Sequence, residues 1–139
     1  MCGLLGILAA NSDAAELVPV VERALPCMRH RGPDDAGTWH DEDAVFGFNR
    51  LSIIDIAHSH QPLQWGPENQ PNRYSMTFNG EIYNFVELRE QLEKKGYAFN
   101  TSGDGEPIVV GFHHWGADVV KHLRGMFGIC LLYTSDAAD

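Results

Sequence analysis

Cys2 directly follows Met1. Removal of the initiator methionine, which a small second side chain permits, would leave a chain that begins with a thiol and a free α-amine on one residue. An α-amine has a pKa of roughly 7.7–8.0, so near neutrality it can take up a proton and return it. An ionised thiol is a strong nucleophile. Nucleophile and base on one residue need no distant histidine, the economy that N-terminal threonine enzymes use. The ordinary alternative is a small apolar side chain that opens a strand, the commoner fate of a cysteine.

Three further segments carry more polar groups than their positions require. Arg50 closes a strand-like stretch, where a guanidinium can grip a carboxylate through two parallel hydrogen bonds. Asn79-Gly80-Glu81 follows an alternating stretch, and an Asn amide beside a Gly backbone N–H offers two donors to an oxyanion. Ser102-Gly103-Asp104-Gly105-Glu106 exposes Asp104 at a predicted helix start, where it could hold a ligand ammonium. Each has an ordinary counterpart: a surface arginine, an Asn-Gly hairpin turn and an Asp helix cap. Taken singly, each segment fits its ordinary counterpart better.

Other chemistries are excluded by spacing. The glycines near residues 3–8 and 102–106 match neither GxxxxGK[ST] nor GxGxxG, and no Gly-x-Ser-x-Gly elbow occurs. The Asp104 segment lacks the other acidic positions of a calcium loop. The seven histidines are scattered, and the adjacent His113 and His114 cannot share a helix face. No metal site is expected.

The elements that would position these groups follow from periodicity. Gly3–Leu8 is a short glycine-punctuated apolar strand. A helix capped by Ser12 or Asp13 carries Leu17, Val20, Val21, Ala24, Leu25 and Met28, with Pro26 kinking or ending it. Arg31–Gly37 is a turn-rich loop, Ala44–Leu51 a strand, and the proline-rich stretch 57–72 a loop. Arg73–Phe78 alternates as a strand, with Tyr74, Met76 and Phe78 on one face. Asn84 caps a helix with the stripe Phe85, Leu88 and Leu92, with Lys94 and Lys95 in its last turn and Gly96 as its stop. Ile108–Trp115 is a further helix ended by Gly116, Ala117–Leu123 a short one, and Gly125–Tyr133 a buried strand. The order lacks strict alternation and predicts an α+β or α/β fold with a largely antiparallel sheet.

The 139 residues carry 10 Lys and Arg against 19 Asp and Glu, a formal charge of −9. That balance argues against a nucleic-acid partner. No apolar run approaches the ~20 residues of a membrane span, and no basic residue precedes the apolar start as a signal peptide would need. Cys2, Cys27 and Cys130 show no CxxC spacing, which points to a cytoplasmic address rather than a disulfide framework.

Together the segments resemble a known family. Met1-Cys2-Gly3-Leu4-Leu5-Gly6, Arg29-His30-Arg31-Gly32-Pro33-Asp34, Asn49-Arg50-Leu51-Ser52-Ile53-Ile54-Asp55, Gln61-Pro62 and Phe78-Asn79-Gly80-Glu81-Ile82-Tyr83-Asn84 occur in order. They are similar to the amino-terminal glutaminase domain of glutamine-hydrolysing asparagine synthetases, class II glutamine amidotransferases with an N-terminal nucleophile (Ntn) hydrolase fold. The resemblance implies an αββα four-layer sandwich, incomplete at its C-terminus. It implies that Cys2 attacks the glutamine side-chain amide while its own α-amine shuttles the proton, with Asn79 and the Gly80 backbone forming the oxyanion hole. It also implies that Arg50 grips the substrate α-carboxylate. Asp104 and Glu81 would bind the α-ammonium, helped by the backbone near Ile53. A glutamyl thioester would form and be hydrolysed to glutamate.

By the same resemblance residues 1–129 form an incomplete glutaminase domain, and residues 130–139 depart from the family pattern as an atypical tail. Around Asp104 the chain has one residue more than the Ser-Asp-Thr-Glu of many members. A C-terminal synthetase domain, absent from this sequence, would receive ammonia in cis and make asparagine from aspartate with ATP and Mg2+. The glutaminase part itself needs no cofactor, and a homodimer is the implied assembly. Two alternatives stay open: an inert fragment that serves only as an interaction surface, and an amidotransferase that serves another acceptor.

Overall fold

The computed structural model describes residues 2–10, 13–51 and 60–133. Among these, six strands form two three-stranded antiparallel sheets. β1 (Gly3–Leu8), β2 (Asp35–His40) and β3 (Ala44–Arg50) lie in the order β1-β3-β2. β4 (Leu63–Trp65), β5 (Tyr74–Ile82) and β6 (Gly125–Tyr133) lie in the order β4-β5-β6.

Alternation along the central strands explains the layering. In β3, Val45 packs with Ala14, Val21 and Leu25 of the helical segment that covers the first sheet. That segment comprises a 3-10 turn at Ala14–Leu17, helix α1 (Val18–Ala24) and a 3-10 stretch at Leu25–Arg31. In β5, Tyr74, Met76, Phe78 and Ile82 share a core with Leu88 and Leu92 of α2 (Phe85–Glu93) and Ile108, Val109 and Val110 of α3 (Glu106–Trp115). The opposite faces of the sheets meet each other, with the Cys130 Sγ lying 4.0 Å from where a Gly6 Cβ would stand. The result is helix, sheet, sheet, helix, the αββα sandwich the resemblance implies.

Several elements differ from their sequence-based expectation. The segment from Asp35 is the start of β2, whose polar sequence shows no alternation, and among the described residues it is an edge strand paired with β3 alone. Leu63–Trp65, expected as loop, is the short strand β4, and three residues are too few to show a period. The first helix splits into 3-10, α and 3-10 pieces. Proline opens both α1 and the second 3-10 stretch, as its missing N–H allows. Asp13 caps the start, its carboxylate accepting from Ala15 N–H at 2.9 Å. Asn84 stands at the N-cap of α2 as expected, its carbonyl accepting from Leu88 N–H at 3.1 Å, but its side chain makes no cap bond. Its Oδ1 accepts from Arg124 N–H at 2.8 Å and its Nδ2 donates to the His122 carbonyl at 2.9 Å, tying α2 to the entry of β6. Lys94 and Lys95 fall beyond Glu93, the last residue of α2, while Gly96 (φ 94°) makes the stop. The short helix after Gly116 is 3-10 in form, over Gly116–Lys121. β6 is not buried: Met126 is 63% exposed and Phe127 and Tyr133 are exposed too, since among the described residues only β5 flanks it.

Candidate active site

A cavity of about 160 Å³ opens beside β5. It is smaller than the roughly 300–1,000 Å³ of pockets that enclose drug-sized ligands and has room for a small molecule. Its walls include Cys2, Arg50, Gly80, Glu81 and Asp104. Four sequence-distant segments thus deliver one nucleophile, one cation, one backbone amide and two acids to a single space.

Each group is held by the element beneath it. Cys2 precedes β1 and is half-buried, its Sγ accepting from Leu51 N–H at 3.4 Å and facing the Leu51 carbonyl at 3.8 Å. Arg50 ends β3 and is only 5% exposed. Its backbone is fixed by the Arg-Gly-Pro-Asp turn, since Asp34 N–H donates to the Arg50 carbonyl at 3.0 Å. Gly32 in that turn lies so close that a Cβ there would overlap the Asn49 carbonyl oxygen. The turn expected from Arg31-Gly32-Pro33-Asp34 therefore serves the site indirectly, pressing the end of the 3-10 stretch onto β3 where Arg50 begins its reach.

Asn79-Gly80-Glu81 lies inside β5 rather than beyond it, so the hairpin alternative fails. Asn79 pairs with Gly128 and Gly80 with Phe127. Gly80 has φ 148°, a conformation L side chains rarely adopt, and a Cβ there would overlap the Met126 carbonyl oxygen. Asn79 lines an adjoining space with Cys2, Gly128 and Cys130, and its Oδ1 is buried without a hydrogen-bond partner among the described residues. Cys2 thus stands between the two spaces, with Gly80 on one side and the Asn79 amide on the other.

Asp104 is 9% exposed, which corrects the expectation of an exposed acid at a helix start. Helix α3 begins only at Glu106 with Gly105 at the cap position, so Asp104 is not a helix cap. Its Oδ2 accepts from Ile82 N–H at 2.9 Å. Burial raises its pKa above the ordinary 3.8, Glu81 nearby raises it further, and the backbone donors of Ile82 and of Asp104 itself pull it back. The loop that carries it is clamped from two sides. Glu106, 1% exposed, accepts from Asn100 N–H at 2.8 Å, Thr101 N–H at 2.7 Å and Thr101 Oγ1 at 2.8 Å. Arg89 donates to the Gly103 carbonyl at 3.3 Å and stacks over Phe99 at 4.3 Å.

Ile53 lies outside the described residues, as does Met1. Two polar side chains of the wall, His60 and Gln61, have no role that sequence reasoning assigns. His60 Nδ1 sits 3.9 Å from Asp35 Oδ2 at the exposed rim. Gln61 is buried deeper: Phe78 N–H donates to its Oε1 at 3.0 Å and its Nε2 donates to the Phe78 carbonyl at 2.7 Å. The only sequence signal for it was the Gln-Pro pair within the family motifs, which carries no chemistry of its own. Among the described residues no group of three or more His, Cys, Asp or Glu could hold a metal ion.

Known proteins resemble this chain over nearly its whole length. The family profile described as glutamine amidotransferase domain matches residues 1–138. A putative asparagine synthetase [glutamine-hydrolyzing] of Mycobacterium tuberculosis is 56% identical over 142 residues, covering 94% of this chain and 22% of that protein. Asparagine synthetase [glutamine-hydrolyzing] 1 of Bacillus subtilis is 43% identical, covering 98% of this chain and 21% of its own length. The chain thus spans about a fifth of the length of these curated relatives. Among solved structures, glutamine phosphoribosylpyrophosphate amidotransferase from B. subtilis, complexed with ADP and GMP, aligns with a TM-score of 0.68. It is 19% identical and covers 94% of this chain and 35% of that one. That likeness is one of fold, the Ntn-hydrolase sandwich.

Proposed function

The chain belongs to the glutamine amidotransferase domain family, and from that premise we propose that its cavity hydrolyses the side-chain amide of glutamine. The observation that carries this is the set of charges around Cys2. Arg50 complements an α-carboxylate, while Asp104 and Glu81 complement an α-ammonium. A free amino acid zwitterion matches both, and Cys2 is left to meet its side chain.

The proposed steps follow from that pose. With Met1 removed, the Cys2 thiol passes its proton to its own α-amine and its sulfur attacks the amide carbon. The carbonyl electrons move onto oxygen, where the Asn79 amide and the Gly80 N–H stabilise the charge. The oxyanion collapses, the C–N bond breaks, and the α-ammonium returns its proton to the departing ammonia. A glutamyl thioester remains. Water then gives its proton to the α-amine and attacks the thioester, the C–S bond breaks, and the sulfur takes back the proton as glutamate leaves. The Ile53 backbone assists in holding the α-ammonium. Residues 1–129 supply every group used, and no cofactor enters these steps.

In the whole protein, the ammonia passes in cis to a synthetase domain that uses ATP and Mg2+ to convert aspartate to asparagine. The names and greater length of the relatives support this. The protein works in the cytoplasm as a homodimer. Three free thiols suit a reducing compartment, and among the described residues no helix is long and apolar enough to cross a membrane.

The test is covalent. Mass spectrometry should show Met1 removed and one equivalent of a diazoketone analogue of glutamine on Cys2, and Cys2→Ala should abolish both labelling and glutamate release. Labelling that moves to Cys27 or Cys130, or survives in Cys2→Ala, overturns the proposal. Glutaminase activity that depends on Cys2 excludes the inert-fragment alternative.

A further inference from the structure

β5 needs a partner along each edge, because a buried N–H or C=O left unpaired is costly. β4 serves one edge only from Leu63↔Met76 to Trp65↔Tyr74. Extended by two residues, that register sets Gln61 opposite Phe78, and there the Gln61 side chain takes over from the backbone. Its amide supplies one acceptor and one donor to Phe78, reproducing both bonds of a strand neighbour at 3.0 and 2.7 Å. Phe78 immediately precedes Asn79 and Gly80.

We propose that Gln61 is a positioning residue for the oxyanion donors, its amide standing in for the missing strand so that the Asn79–Gly80 peptide is held in place beside Cys2. This rests on the glutaminase assignment and adds a residue to it. Phe78 is buried, so without Gln61 its N–H and carbonyl lose their partners and β5 is free to shift where the donors sit. A shift on the order of 1 Å at a reacting centre can cost ~100-fold in rate. Gln61 spends one donor and one acceptor of its amide on Phe78, and a role through those two bonds shows in kcat, whereas a contact of its remaining N–H with glutamine would show in KM.

The test uses the full chain with Gln61→Ala and Gln61→Glu. In Gln61→Ala, kcat for glutamate release should fall roughly 10- to 100-fold while KM stays within about twofold. Alkylation of Cys2 by iodoacetamide passes through no oxyanion, and its rate should stay within about twofold of the parent. An unchanged kcat, or alkylation falling in parallel with kcat, overturns the proposal. In Gln61→Glu the carboxylate keeps the acceptor for Phe78 N–H but turns a second acceptor on the Phe78 carbonyl. Protonation restores a donor and an acceptor. The ratio of its kcat to that of the parent should therefore rise at least about fivefold from about pH 8 to about pH 5.5, and a flat ratio overturns the proposal. If parent glutamate release does not depend on Cys2, the glutaminase assignment falls and this inference with it. If it does depend on Cys2 and the Gln61 variants behave as the parent, only the role of Gln61 falls.

Discussion

The two edges of β5 are built from the same nine residues and end in opposite ways. Along one edge β6 pairs residue for residue, from Tyr74↔Tyr133 to Ile82↔Gly125. Along the other, β4 stops after three residues and side chains finish the pairing: Gln61 on Phe78, then Asp104 on Ile82. Because N–H groups alternate between edges, that of Gly80 faces the same side as those of Phe78 and Ile82, between the two side-chain partners. The cavity opens there. A fully paired edge has no spare donors, whereas one that changes from backbone to side-chain partners leaves a backbone amide to do chemistry. The site is thus made by interrupting a sheet, not by adding a loop to it.

The contrast can be broken most sharply at Gly80. A methyl group there meets the Met126 carbonyl and forces the strained φ to change, so Gly80→Ala should push β5 from β6 and misplace the amide. A loss of ~100-fold or more in kcat is expected, the scale of one oxyanion donor, and glutamate release normalised to folded protein measures it. A folded variant with near-parental kcat would show that the interrupted edge is not the catalytic one.

The two acids of the Asp104 loop come next. Asp104→Asn keeps an acceptor for Ile82 N–H but removes the charge proposed to meet the substrate ammonium. Its KM for glutamine should rise on the order of 10-fold or more, losing one charged hydrogen bond. Burial holds the folded pKa of Asp104 above its unfolded value, so the native state binds that proton more tightly than the unfolded chain. Its contribution to stability is therefore present below the unfolded pKa and is lost as pH rises through the folded pKa. At neutral pH Asp104→Asn should melt no lower than the parent, and the parent KM for glutamine should rise on acidification earlier than an ordinary aspartate would cause. Glu106→Gln should do the reverse. Its carboxylate takes three donors inside the fold, and turning an amide NH2 on one of them should cost about 1–3 kcal/mol in urea unfolding with KM unchanged in the folded fraction.

The smallest effect is expected on the fully paired side. Thr77 lies opposite Cys130, fully buried, with a hydroxyl that has no hydrogen-bond partner among the described residues. Thr77→Val removes that orphan at little change in shape, so Tm should hold or rise slightly and activity should not move.

Much of this architecture is legible in the chain itself. β5 and the stripe of α2 show in long apolar periodicity, and the five motifs contain Cys2, Arg50, Gln61, Gly80 and Glu81 of the cavity wall, while Asp104 lies outside them. Short or polar elements are not legible. Asp35–His40 becomes a strand because β3 offers it an edge, and Leu63–Trp65 because β5 does, neither of which local pattern can report. Asn84 looks like a cap by residue type, yet its amide finds better-placed partners across the fold at His122 and Arg124. Asp104 looks exposed because its neighbours are small and polar, and it is buried because Arg89 and Glu106 pull the loop inward.

Residue order alone settles which groups are available. They are a thiol beside the chain start, one arginine, an Asn-Gly pair, two acids, and the periodicities that set the main strands and helices. Folding in three dimensions is what brings these groups around Cys2, all but Asn79 in one small space and Asn79 in the space adjoining it, leaves the Gly80 amide on the interrupted edge, and sets Gln61 to complete that edge. The physical reason is range. Periodicity and capping act over a few residues, while burial, strand pairing and the pKa of Asp104 depend on partners tens of residues away that meet only when the two sheets stack.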